Sequence, residues 1–132
     1  MRVVFVCVEN SNRSQMAQAF GKLHGLEAYS AGSRPSGKVN PKAIAAMAEL
    51  GYDLSTHQSK SLADLPDVDF DYAVTMGCGD ACPHLRAQHR LDWQIPDPRE
   101  MPPEEFAKIR DEIGRLVEQL ASSTKNEVQS CR

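Results

Sequence analysis

Hydrophobic positions along this chain alternate between short β-branched runs and helical stripes. Residues 2–8 (RVVFVCV) are apolar on both faces, the pattern of a central parallel strand. After a polar turn, Met16, Ala19, Phe20 and Leu23 recur at helical spacing, and Gly25 stands where that helix should stop. Residues 27–31 predict a second strand, and 32–39, with Gly32, Pro35 and Gly37, a loop. Asn40-Pro41 joins a capping side chain to a proline at the first helical position. Ile44, Met47 and Ala48 follow as its buried face, and Gly51 as a left-handed stop. Residues 70–76 read as a third strand running into Gly77-Cys78-Gly79, and 89–93 as a short fourth leading to Pro96-Asp97-Pro98. Phe106, Ile109, Ile113, Leu116, Val117 and Leu120 trace one stripe of a last helix, with Glu104 and Glu105 suited to its N-terminal dipole.

Strands alternating with helices predict an α/β fold, a single-domain three-layer αβα arrangement around a four-stranded parallel sheet. That domain takes residues 1–121, and 122–132 are expected to be a polar, frayed tail. Ligands of such sheets sit at the carboxyl ends of the strands. Segments 7–13, 77–82 and 96–98 all leave those ends.

Composition narrows the class. With 41% hydrophobic and 25% charged residues in 132, the chain can bury one real core, which excludes a disordered or disulfide-packed polypeptide. Its longest apolar run, Val3 to Val8, falls far short of the ~20 residues of a membrane span. A net charge of −3 leaves no excess of Lys and Arg for nucleic acid or an anionic membrane. A small anion remains compatible, because one arginine and a few backbone amides can hold it. Four cysteines with no export signal ahead of them point to a reducing cytoplasm, with thiols reactive, metal-binding or buried, and a monomer is expected.

The chemistry gathers in Cys7-Val8-Glu9-Asn10-Ser11-Asn12-Arg13-Ser14. The cysteine ends a buried strand, the arginine opens a helix, and the residues between are mostly small and polar. Backbone N–H groups of such a turn form an anion nest, reinforced by the helix N-terminus. Arg13 can grip two oxyanion oxygens, and the same positive field favours a thiolate, whose pKa falls to about 3.5–7.5 in such settings. Asn10, Ser11, Asn12, Arg13 and Ser14 are the expected substrate-binding residues; Ser14 can donate to the sulfur, and Asn10 suits a left-handed turn. Cys78 and Cys82 lie four apart, and on one helical turn their Cα atoms would be ~6 Å apart, within disulfide range. Asp97 is held stiffly between two prolines.

The loop Cys7-x-x-Asn10-Ser11-x-Arg13-Ser14-Gln15-Met16-Ala17 resembles that of the arsenate reductases built on the low-molecular-weight tyrosine phosphatase fold. The likeness extends through Asn40-Pro41, Gly51-x-Asp53-x-Ser55, Cys78-Gly79-Asp80 and Asp97-Pro98. It implies reduction of arsenate to arsenite, with Cys7 as nucleophile and Asp97 as the acid beside the leaving oxygen, a role that needs a carboxyl kept protonated by burial or a neighbouring charge. It also implies Cys78 as the thiol that attacks Cys7, and Cys82 as the one that carries the disulfide outward to thioredoxin. The short link Gly79-Asp80-Ala81 departs from the usual family spacing, so glutathione with glutaredoxin stays open as the reductant and Cys131 as the last thiol. No bound cofactor is expected, and no metal, since Gln18 replaces a glutamate that many members use to hold potassium. A phosphotyrosine phosphatase working through a cysteinyl-phosphate on the same Cys7, Arg13 and Asp97 is the alternative. A zinc site from Cys78, Cys82, His84 and His89 is a lesser one, and His57 reads as a loop residue.

Overall fold

Strand β1 (Arg2–Cys7) is flanked on both sides, which accounts for its doubly apolar sequence. It pairs in parallel with β2 (Glu27–Gly32) and with β3 (Phe70–Thr75), and β4 (Ala87–Asp92) extends the sheet beyond β3. The order is β2-β1-β3-β4, all parallel. This computed structural model describes residues 1–76 and 86–130, the side chains of 124–130 excepted.

Val3, Phe5 and Cys7 point to one face of the sheet, Val4 and Val6 to the other, and the four apolar side chains among them besides Cys7 are fully buried. Helices α1 (Arg13–Leu23), α2 (Pro41–Ala48) and α3 (Pro103–Ser130) share the core of the Val3/Phe5 face. The opposite layer is thinner: Leu62, Leu65 and Val68, around a single 3₁₀ turn at Leu62–Asp64, cover Val4, Val6 and Ala73. Met16 and Ile113 both lie in the thicker layer with no exposed surface, so truncating either to alanine costs about 2–5 kcal/mol. Helix α3 lies close enough to α1 that a Cβ at Gly114 would come within 2.9 Å of the Phe20 ring.

Three expectations from the periodicity are corrected. Leu23 is 56% exposed, because α1 ends there and its last turn projects past the edge of the core. On α2 the buried face is Ala43, Ala46 and Met47; Ile44 is half-buried and Ala48 exposed. The small Ala43 and Ala46 admit α3 closely, and Arg110 of α3 donates to the Ala46 carbonyl at 2.9 Å. The backbone of α3 also continues as helix through Ser130, into the stretch read as a polar tail. The Asn40 cap is present as expected, its Oδ1 accepting from Lys42 N at 2.9 Å.

Strand register brings the carboxyl ends level. Cys7 pairs with Gly32, Val6 with Thr75, and Thr75 with Asp92. The ladder is prolonged by Met76 N to Val6 O at 2.9 Å and Trp93 N to Thr75 O at 2.8 Å. Cys7, Met76 and the 93–97 segment therefore emerge on one edge.

Candidate active site

Cys7 ends β1 with its side chain buried, and Asn12 leads directly into α1. The turn between them depends on Asn10, whose φ of 51° lies in the left-handed region that asparagine tolerates better than most residues. A cavity of about 380 Å³ opens beside this loop, lined by Cys7, Glu9, Ser11, Asn12 and Arg13 and, from outside the loop, by Arg34, Asp97 and Arg99. Two of the three segments expected to converge, 7–13 and 96–98, do so here. Cys78 and Cys82, like Cys131 and His84, lie outside the described residues.

Arg13 is held by strand ends. One terminal nitrogen, Nη1, donates to Met76 O at 2.7 Å and to Ile95 O at 2.9 Å. Nε and Nη2 have no hydrogen-bond partner among the described residues, and Arg13 lines the cavity, so that edge of the guanidinium is free to receive an oxyanion in forked geometry. Arg99 is engaged by Glu9 at 2.7 Å. Both groups are substantially exposed, so this pair adds little stability, but it balances one cation against one anion and leaves Arg13 and Arg34 to set a positive field.

Asn10 and Ser14, both expected to bind substrate, do not line the cavity, and their side chains bond behind the loop. Asn10 Nδ2 donates to Ser14 Oγ at 2.8 Å, while its Oδ1 accepts from Lys60 N at 2.8 Å and from Gln15 Nε2 at 2.9 Å. Ser14 Oγ lies 2.9 Å from Cys7 Sγ. Since the hydroxyl already accepts from Asn10, its single hydrogen is available to the sulfur, and a thiolate is the better acceptor. Ser11 donates its hydroxyl hydrogen to Lys38 O at 3.0 Å, so it can donate to an oxyanion only through its backbone N–H. Asn12 is 4% exposed and its Oδ1 is buried with no hydrogen-bond partner among the described residues.

Asp97 reaches the cavity but is exposed, its Oδ1 accepting from Arg99 N at 3.1 Å. Of the two conditions its role calls for, burial or a neighbouring charge, burial is absent. Gln18 is buried and satisfied within the protein: it accepts from Ser30 Oγ at 2.6 Å and donates to Ala28 O at 3.3 Å.

Several supporting residues are given no role in the site by the sequence. Gln15 is fully buried and donates to Asn10 O, Asn10 Oδ1 and Gln58 O at 2.8–3.1 Å. His57 Nδ1 lies 2.9 Å from Gln15 Oε1, and Tyr52 OH lies 2.6 Å from His57 Nε2. Burial, with the Lys22 and Lys60 cations adding to it, pushes His57 down to about 4, so the ring is neutral at physiological pH. A buried glutamine one position past Ser14 was the available sign, but no local pattern links it to His57.

The family described as low molecular weight phosphotyrosine protein phosphatase matches residues 2–130. Arsenate reductase 1 of Staphylococcus epidermidis is 40% identical over 126 residues, spanning 90% of this chain and 94% of that protein. A solved arsenate reductase in its phosphate-binding state is similar with a TM-score of 0.85 at 35% identity, covering 93% of this chain and 98% of the other. The thioredoxin-dependent arsenate reductase of Corynebacterium glutamicum gives 0.75 at 34% identity, covering 95% of this chain and 62% of that one. With a parallel four-stranded sheet, a cysteine at the end of its central strand and an arginine opening the next helix, the chain belongs to the low molecular weight phosphotyrosine protein phosphatase family, alongside its arsenate reductase members.

Proposed function

We propose that this protein reduces arsenate to arsenite. The observation that carries the reading is the buried Cys7 sulfur, 2.9 Å from Ser14 Oγ, at a cavity lined by Arg13, whose Nε and Nη2 have no hydrogen-bond partner among the described residues. The arsenate reductases among its relatives and structural neighbours support it.

Arg13 and the loop amides hold the oxyanion, and the Cys7 thiolate attacks arsenic while Asp97 protonates the departing oxygen, which leaves as water. Cys78 then attacks the Cys7 sulfur; the sulfur–arsenic bond breaks, its electron pair stays on arsenic, and arsenite departs as a Cys7–Cys78 disulfide forms. Cys82 attacks Cys78, frees Cys7 and presents a Cys78–Cys82 disulfide to an external dithiol. Thioredoxin is the reductant we favour, since a similar structure is a thioredoxin-dependent enzyme. A reducing cytoplasm suits this cycle, because its dithiols supply the two electrons spent in each turnover.

Hydrolysis of phosphotyrosine is the second reading, favoured by the description of the matching family. It uses Cys7, Arg13 and Asp97 and needs no second thiol. Cys78→Ser separates the two: the relay predicts one arsenite released at most per enzyme and no steady state, with aryl-phosphate hydrolysis retained. Undiminished steady-state arsenate reduction by Cys78→Ser would sink the relay.

A further inference from the structure

Glu9 lines the cavity beside Cys7, Arg13 and Arg34, where its negative charge opposes the anion that the site is built to gather. Its main chain is fixed: Glu9 O accepts from Ser36 N and from Ser59 Oγ, each at 3.0 Å. Its side chain crosses to Arg99, Oε2 accepting from Nη1 at 2.7 Å. Arg99 in turn holds Asp97 through its backbone, N to Oδ1 at 3.1 Å, and its carbonyl accepts from Lys42 Nζ at 2.8 Å. Pro96 and Pro98, on either side of Asp97, have no N–H to donate. Among the described residues, the Glu9–Arg99 pair is the one hydrogen bond or ion pair that joins residues 96–99 to the loop of residues 7–12.

We propose that Glu9 and Arg99 form a clasp that holds the Asp97 segment against the nucleophile loop, so that acid and thiolate face the same bound oxyanion. Both act through Asp97 and are positioning residues; the proposal rests on the reading of Cys7 as nucleophile and Asp97 as acid. Arg99 has a second acidic neighbour in Glu100, but that carboxylate is 3.9 Å from Nε and 93% exposed, so Glu9 is the stronger partner. Arg34 lines the same cavity and forms no ion pair among the described residues, which leaves Glu9 to Arg99. An exposed ion pair is worth too little to hold a fold together, yet the same energy biases the position of a short segment by about two- to fivefold. A step that needs acid and nucleophile together follows that bias, because misplaced reacting groups lose rate steeply. Charge and clasp therefore make opposite demands on Glu9. As an anion it weakens arsenate binding; as half of the clasp it speeds the reaction of arsenate already bound.

The test is single-turnover arsenate reduction by the fully reduced protein, with arsenate in excess and no external reductant. It yields a saturated rate and a half-saturating arsenate concentration for wild type, Glu9→Met, Arg99→Met, the two combined, and Asp97→Asn. Both side chains of the pair are exposed enough that their variants fold. Glu9→Met and Arg99→Met should each slow the saturated rate by about the same two- to fivefold. They should move half-saturation in opposite directions, Glu9→Met lowering it by removing an anion and Arg99→Met raising it by removing a cation. The combined variant should be no slower than either single one, since the clasp can be broken only once. Single variants that move half-saturation at the wild-type saturated rate overturn the clasp and leave two charges acting separately. A combined variant slowed by the product of the single effects overturns it as well. Asp97→Asn at the wild-type saturated rate overturns the acid reading and the clasp with it, and a wild-type protein that releases no arsenite overturns the reductase reading beneath both.

Discussion

Gly32 closes β2 so near the Cys7 loop that a Cβ on it would lie 2.6 Å from the Val8 carbonyl oxygen and 2.9 Å from Asn10 N. Neither contact can be relieved by a side-chain rotation, because both partners are backbone atoms of the loop. Gly32→Ala must therefore displace the turn. A shift of about 1 Å at reacting groups costs about 100-fold in rate. We predict that loss in steady-state activity, with the far-ultraviolet circular dichroism of the folded sheet retained. Wild-type activity in Gly32→Ala would mean that the loop geometry does not set the rate.

Asn10 supplies both a left-handed backbone and three side-chain hydrogen bonds. Asn10→Gly keeps the first and loses the second; Asn10→Ala loses both. Chemical denaturation should find Asn10→Ala the less stable by about 1 kcal/mol, the cost of forcing a Cβ into that region, and both below wild type. Equal stabilities would show that the loop relaxes out of the left-handed conformation when the side chain is removed.

The neutral His57 ring gives stability a defined pH window. Its folded value of about 4 lies below the ordinary 6.5, so between these the unfolded chain binds the extra proton. The contribution is complete above pH 6.5 and is lost as the pH falls toward 4. The ring is only half-buried, so solvent screening keeps the effect to about 1 kcal/mol, or about 4 °C in Tm. His57→Asn should flatten Tm across that interval. Glu27 and Asp53, both held below their ordinary ranges by hydrogen bonds, act only below about pH 4.5 and leave the interval above that value clear. An identical decline in wild type and His57→Asn would contradict the assignment.

Asp97 can protonate a leaving oxygen only if it meets the substrate at the mouth of the cavity. Asp97→Asn keeps the bond from Arg99 N but removes the proton source. Single-turnover arsenate reduction should slow by about 100-fold or more, with arsenate binding retained. An unchanged rate would remove Asp97 from the reaction.

Much of this was legible in the sequence because it is written locally. The doubly apolar run before Cys7, the spacing of Cys7 to Arg13 and the Asn40-Pro41 cap each report on neighbours within a few residues, and the strand–helix alternation fixed a parallel sheet. What escaped depends on which distant elements meet. Asn10 was read as facing the substrate, but it turns inward because Lys60 N and Gln15 approach from behind. His57 looked like a loop histidine because its partner, Gln15, is 42 residues away. The exposure of Asp97 follows from how its loop crosses the cavity, and no periodicity encodes that. Leu23 and Ala48 lie at helix ends, where a stripe continues in sequence after the core has stopped.

The central claim is that Cys7 passes electrons to arsenate. Its most direct test is arsenate-dependent oxidation of NADPH with thioredoxin and thioredoxin reductase, run beside glutathione with glutaredoxin and repeated with Cys7→Ser. The account predicts turnover by the wild-type protein in the thioredoxin assay and none by Cys7→Ser in either. No arsenate-dependent oxidation by wild type in both assays, with aryl-phosphate hydrolysis intact, would contradict it and leave a phosphatase.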